Sequence, residues 1–329
     1  MRRLLIALYC VVIVVLTACS GSISYTLPKT GDVSEPYAAD GSLRVNPLGH
    51  SEEPDVTTSL TFADESLGDD VMNIRDFSVI GGANPTAPVS VFLEYSHYLG
   101  NNEERYQAFV AAFPDFSVTS AIALVNINAD YGYYNNITEI ERPEERLVLS
   151  NKNFQLPIEY EPDDLRTIEG FSVKMTDDAA SAFEAMRAAL REELGLQLVA
   201  VSGYRSYSYQ KTLYSRYAAR DGASVADTYS ARAGHSEHQT GLAVDILHRY
   251  ASGSLRSAGF QNTAQYAWML SHAHEYGFIL RYKEGSESIT GYRFEPWHWR
   301  YIGVEDATKM FEGGYAAFEE YVGTYYYAG

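Results

Sequence analysis

Two short segments constrain this chain more than any others. The first runs Ser236-Glu237-His238-Gln239-Thr240-Gly241-Leu242-Ala243-Val244-Asp245, and the second is Glu295-Pro296-Trp297-His298. Together they offer two imidazoles and a carboxylate as metal ligands, His238, His298 and Asp245, with Glu295 close to the last of them in sequence. Neutral imidazole and carboxylate suit zinc, and a set of three leaves a fourth position for water. Zinc lowers the pKa of a bound water toward about 7, and a carboxylate placed as Glu295 is can take that proton and pass it to a leaving amine. Any fold of this chain must therefore bring the two segments together. Pro296 predicts that Glu295 and His298 sit on a tight bend or strand end. Gly241, between two of the candidate ligands, predicts a close approach of the backbone to the metal.

The other histidines are weaker candidates. His235 precedes His238 by three residues and is read as lining the cleft or capping a helix. His272 and His274 lie two apart on a predicted helix, hence on different faces, and read as a solvated helix end. His248 reads as surface or outer sphere. Trp297 and Trp299 alternate with His298, so on a strand they point away from it into a core.

The net charge of −18 argues against nucleic-acid binding, which needs clustered lysine and arginine. Both cysteines, Cys10 and Cys19, lie near the N-terminus, so the folded part has no internal disulfide. Residues 1–19 read as a signal peptide: Arg2-Arg3, an apolar run from Leu4 to Leu16, then Leu16-Thr17-Ala18-Cys19. That ending resembles the bacterial lipoprotein box, with Cys19 lipidated; an ordinary signal peptide or an uncleaved anchor is the alternative. Either way the protein leaves the cytoplasm, and the lipoprotein reading places it extracytoplasmically on a bacterial membrane.

Residues 20–70 are poor in aliphatics and read as a disordered acidic spacer. Residues 86–145 form a small upstream segment expected to pack on the domain that follows, with short helices over 89–100 and 103–113 and an apolar, strand-like run over 118–127. The remaining residues, 146–329, form the main domain. A strand is read at 146–149, a helix from the Thr176-Asp177-Asp178 cap to Gly195, a strand over 196–201 and a helix over 209–219 stopping at Gly222. A buried strand over 242–247, a helix over 262–276 and strands at 278–282 and 292–294 complete the pattern. This order predicts an α+β domain with a small, mostly antiparallel sheet and flanking helices.

Three motifs occur in order: Ser-Gly-Tyr-Arg-Ser at 202–206 with Gln210, Ser-x-His-x-x-Gly-x-Ala-x-Asp at 236–245, and Glu-Pro-Trp-His-Trp at 295–299. With them the chain resembles the zinc D-alanyl-D-alanine carboxypeptidases of the VanY type, relatives of the LD-carboxypeptidases that also trim peptidoglycan stems. The stretches Leu147 to Lys152, Leu156-Pro157 and Tyr160-Glu161-Pro162 resemble that family's entry into the domain, so the likeness spans about residues 145–303. It implies the Hedgehog/DD-peptidase α+β fold, with His238, Asp245 and His298 as zinc ligands and Glu295 as the catalytic base. It further implies that Arg205 holds the substrate's terminal carboxylate through its planar fork; a structural salt bridge is the alternative role for Arg205, and Arg293, close to Glu295, is the main rival cation. Ser236 and Gln210 would add hydrogen bonds at the same end. The implied activity is removal of the C-terminal D-Ala from peptidoglycan stem peptides. The rivals are LD-carboxypeptidase action on tetrapeptides, a non-catalytic zinc module binding cell-wall peptides, and an adhesion protein working through residues 86–140.

Overall fold

A computed structural model describes Phe92 and residues 95–250 and 255–325. Cys19 and the 20–70 spacer lie outside the described residues. Among the described residues no helix is long and apolar enough to cross a membrane.

The framework is a four-stranded antiparallel sheet. Its strands β5 (Val199–Ser202), β6 (Ala243–Leu247), β7 (Phe278–Leu280) and β8 (His298–Tyr301) lie in the order β5-β6-β8-β7. Two small ladders precede it: parallel β1 (Thr138–Glu139) with β2 (Phe154–Gln155), and antiparallel β3 (Leu165–Thr167) with β4 (Lys174–Thr176). The helices are α1 (Glu103–Ala112), α2 (Val118–Asn126), α3 (Asp177–Leu194), α4 (Tyr207–Asp221), α5 (Ala223–Ala226), α6 (Ala264–His272), α7 (Glu287–Thr290), α8 (Val304–Gly313) and α9 (Phe318–Tyr325).

Strand alternation sorts the side chains between the two faces of the sheet. Val244 and Ile246 of β6, Phe278 and Leu280 of β7, and Trp299 and Tyr301 of β8 enter one core, which α3 covers with Ala179, Phe183, Met186 and Leu190. Asp178 and Asp177 begin α3, where acidic residues favour the helix N-terminus, and Gly195 ends it in the left-handed region. The opposite face carries Asp245, His298, Arg300, Ile279 and, just past β7, Arg281. A second core of α1, α2, α8 and α9 residues covers the Ile279 end of that face. The Asp245–His298 end is left to a cavity.

Several predicted elements differ. Residues 118–126 form a helix, with the Ser117 hydroxyl accepting from the Ser120 amide at 3.0 Å. Ala121 to Asn126 are all buried, and a helix buried all round shows no amphipathic period, so its apolar run mimics a strand. No helix spans 95–100: turns lead into a 3-10 turn at Gly100–Asn102. Residues 146–149 are turn and coil, because the carbonyls of Arg146 and Val148 accept from the Arg300 guanidinium, each at 2.9 Å, in place of a ladder. Residues 292–294 are not a strand either: the Arg293 amide bonds Thr228 of a loop at 2.9 Å, and β8 begins only at His298. The loop after Gly285 holds α7.

Candidate metal centre and active-site cavity

Asp245 and His298 face each other as direct partners across β6 and β8, and Ser202 sits beside Asp245 on β5. Such pairs hold their side chains on one face of the sheet about 5 Å apart at Cβ. His238 comes from the 3-10 turn Glu237–Thr240 that leads into β6. Its Nδ1 lies 2.7 Å from the Gly203 carbonyl, which can only accept, so Nδ1 carries the proton and Nε2 presents a lone pair 3.4 Å from Asp245 Oδ1. A side chain at Gly203 would place its Cβ 2.3 Å from the Lys174 carbonyl, so only glycine brings that acceptor to His238.

His298 is oriented the other way round. Its Nδ1 lies 3.5 Å from Asp245 Oδ1, while Nε2 lies 3.4 Å from Glu237 Oε2. Ligand atoms of His238, Asp245 and His298 all fall within 4.8 Å of one another, and the three residues are buried. Asp245 Oδ1 has no hydrogen-bond donor. An orphaned buried carboxylate oxygen flanked by imidazole nitrogens is what a cation would satisfy, and a two-nitrogen, one-oxygen set fits zinc with a position left open. The trio predicted from sequence is thus brought together.

Glu295 is at the same place. Residues 296 and 297 turn, the His298 amide bonds the Glu295 carbonyl at 3.1 Å, and Glu295 Oε2 lies 3.7 Å from His298 Nδ1. Arg205 adjoins the trio, but two of its nitrogens are engaged: Nη2 donates to Asp245 Oδ2 at 2.5 Å and Nε to Ser202 at 2.9 Å. Nη1 lies 3.5 Å from Gln210 Oε1, and the Gln210 amide nitrogen donates to Ala231 at 2.8 Å. Gln210 is therefore fixed by the protein on both sides. Ser236 is buried in the same wall. All these residues line a cavity of about 680 Å³, with Tyr282, Tyr292, Arg293 and Trp297 also in its walls.

Gly241 serves another purpose than the predicted one. It adopts φ +69°, and a Cβ there would meet Leu165 at 2.9 Å and Thr176 at 3.1 Å. The close approach is to β3 and β4, not to the metal centre. His235 lies against Asn151 and the edge of Tyr134 and is not a ligand. His274 stacks on Phe311, and His272 pairs with Glu275.

The residues that sequence reasoning missed lie behind His298. Glu237 Oε1 accepts from Arg281 Nε at 2.8 Å and lies 3.1 Å from Arg300 Nη1. Arg281 in turn grips Glu319 of α9 through both terminal nitrogens, at 2.9 and 2.8 Å. The paired side chains Glu237, Arg281, Arg300 and Glu319 are fully buried, two of each sign. Burial alone would raise the Glu237 carboxyl, but Arg281 and Arg300 hold it well below the usual range. The signal was available: an arginine directly after the apolar run Phe-Ile-Leu and another after Trp-His-Trp require a buried carboxylate partner.

Burial also lowers the pKa of His238, to about 4, and those of His97 and His235 below the ordinary 6.5. The folded chain then binds these protons less readily than the unfolded one, so the stabilising contribution is full above pH 6.5 and is lost as pH falls toward 4. Metal-free protein is expected to melt at a lower temperature at pH 5 than at pH 7.5; equal melting temperatures would contradict this.

Comparison with known proteins agrees with this geometry. The family model of VanY D-alanyl-D-alanine carboxypeptidases matches residues 172–304. YodJ of Bacillus subtilis (strain 168) is 40% identical over 203 residues, covering 57% of this chain and 73% of YodJ. The bifunctional D-Ala-D-Ala dipeptidase and D-Ala-D-Ala carboxypeptidase VanXYC of Enterococcus gallinarum is 35% identical over 162 residues, 48% of this chain and 84% of that protein. Among solved structures, the LdcB LD-carboxypeptidase is 37% identical with a TM-score of 0.53, over 58% of this chain and 91% of that one. The α+β arrangement described above is the fold of these peptidases. The chain belongs to the VanY family of D-alanyl-D-alanine carboxypeptidases.

Proposed function

We propose that this protein is a zinc-dependent carboxypeptidase that removes the C-terminal D-Ala from peptidoglycan stem peptides. The observation that carries the reading is the buried trio His238, Asp245 and His298 at one point of a cavity, with the Glu295 carboxylate 3.7 Å from His298. His238 would hold zinc through Nε2, His298 through Nδ1, and Asp245 through the oxygen that has no donor. When bound there, zinc supplies a Lewis acid and a water of lowered pKa. Glu295 takes the proton of the attacking water and delivers it to the departing amine. Arg205 orients Asp245 and turns its third nitrogen, Nη1, to the substrate's terminal carboxylate; Gln210 holds that nitrogen in place, and the Ser236 hydroxyl bonds the same end. Recognition of a free end confines cleavage to the last residue.

The same reading assigns the fold to the Hedgehog/DD-peptidase class, with 86–145 as an upstream segment and 146–329 as the catalytic domain. It places the enzyme outside the cytoplasm, tethered by a lipid on Cys19. Incubation of zinc-loaded protein with a pentapeptide ending in D-Ala-D-Ala is expected to release one D-Ala, read by mass, and chelation to abolish the release. Absence of release would overturn the proposal. The likeness to LdcB motivates a tetrapeptide in parallel, and preferential cleavage there would make LD-carboxypeptidase action the better description.

Glu237 follows as a support for the metal. His298 Nε2 lies 3.4 Å from Glu237 Oε2, so with Nδ1 on the metal its Nε2–H would face a carboxylate able to orient the ring and raise its basicity. Glu237→Gln is expected to weaken zinc binding about 10- to 100-fold in chelator competition. Unchanged affinity would remove Glu237 from this role.

A further inference from the structure

Beside the catalytic cavity lies a second one of about 420 Å³, and the two share Tyr292 and Arg293 in their walls. Its charged residues are Lys152, Arg232, Arg293, Asp227 and Glu287. The Arg232 charge is taken up by Asp227, through Nη2 at 2.7 Å and Nε at 3.1 Å. Lys152 is buried, donates to the backbone carbonyl of Asp227, and lies 4.5 and 4.4 Å from the ring centroids of Tyr133 and Tyr292. The Arg293 side chain is exposed, and among the described residues its guanidinium makes no hydrogen bond or ion pair. The hydroxyls of Tyr134 and Tyr292 are buried there, beside each other and the Arg232 backbone. A cation without a counter-ion among the described residues therefore sits where the two cavities meet.

We propose that this junction is an anion subsite that takes a carboxylate of the peptide on the N-terminal side of the scissile bond. Arg293 is its principal contact, with the Tyr292 ring in the wall beside it and the Lys152 ammonium on that ring's face. Arg293 precedes Glu295 by two residues, so their backbones are at most about 7 Å apart. A peptide with its last bond at Glu295 would therefore bring a side chain two or three residues upstream to Arg293. The inference rests on the carboxypeptidase reading and adds the class of peptide preferred: one with a free upstream carboxylate, in place of its carboxamide. It also separates the two arginines of the cavity, Arg205 serving the terminal carboxylate and Arg293 the internal one.

The test uses the zinc-loaded full chain and three substrates: an N-acetylated D-Ala-D-Ala dipeptide, a pentapeptide with a free upstream carboxylate, and the same pentapeptide amidated there. The unaltered enzyme is expected to show a KM about 10- to 100-fold lower for the free acid than for the amide, the scale of a charge-assisted pair. Arg293→Gln should raise KM for the acid to that of the amide, a larger effect than on the amide or the dipeptide, and Arg293→Lys should recover part of the loss. Equal KM values for acid and amide with the unaltered enzyme overturn the subsite. So does an Arg293→Gln effect of the same size on all three substrates, which would put Arg293 on the terminal carboxylate. Failure of the unaltered enzyme to cleave the acetylated dipeptide and both pentapeptides would instead overturn the carboxypeptidase reading.

Discussion

Glu295→Gln is expected to keep its zinc and lose most of its hydrolysis, with kcat falling by about 10²–10⁴-fold. The carboxylate is not one of the three donors that face one another, so the metal centre remains whole. What disappears is the group that accepts a proton from water and returns it to the amine. The carboxamide is nearly isosteric, and the Glu295 amide still bonds the Tyr282 carbonyl while its carbonyl still receives the His298 amide. Backbone geometry at the bend is therefore retained, and KM should stay close to that of the unaltered enzyme. Metal analysis beside steady-state kinetics checks both halves. A variant that hydrolyses at near-normal rate removes Glu295 from proton transfer, and one that loses zinc makes it a ligand.

Arg281→Met is expected to destabilise the whole domain, by about 3–5 kcal/mol, because it leaves Glu237 and Glu319 buried without the cation that joins them. For a domain of this size the melting temperature should fall on the order of 10 °C. Arg300 keeps its Nη1 3.1 Å from Glu237, but its Nη2 is committed to the carbonyls of Arg146 and Val148, so Glu319 is the carboxylate left without its cation. Removing all four charges at once, with Met for the arginines and Leu for the glutamates, should cost less than Arg281→Met alone, since no buried charge is then stranded. Thermal melts of the two proteins test this, and an Arg281→Met protein that melts like the parent would refute it.

The site was more legible than the fold around it. That His238, Asp245, His298 and Glu295 come together was readable because the residue types that serve as metal ligands and bases are few, and Pro296 made the bend explicit. Helix α3 was readable through its cap, its period and Gly195. Helix α2 was not, because a segment buried on every side carries no periodic trace. The strand expected at 146–149 failed for a related reason: Val148 and Leu149 are apolar and buried, but their neighbours' carbonyls are satisfied by a side chain distant in sequence. Arg205 shows the limit of residue type. Its guanidinium was expected to meet the substrate, yet two of its nitrogens hold Asp245 and Ser202, and only coordinates reveal such a division.

The grip of Glu319 on Arg281 has a consequence for when the enzyme becomes active. Glu319 belongs to the final described helix, and through Arg281 and Glu237 it backs the ring of His298. Until that helix has been synthesised and has docked, the sheet holds two buried guanidiniums against one carboxylate, and the ring behind the metal lacks its full support. Activity should thus arise only once that helix has docked, and a chain clipped before it should not hydrolyse peptides.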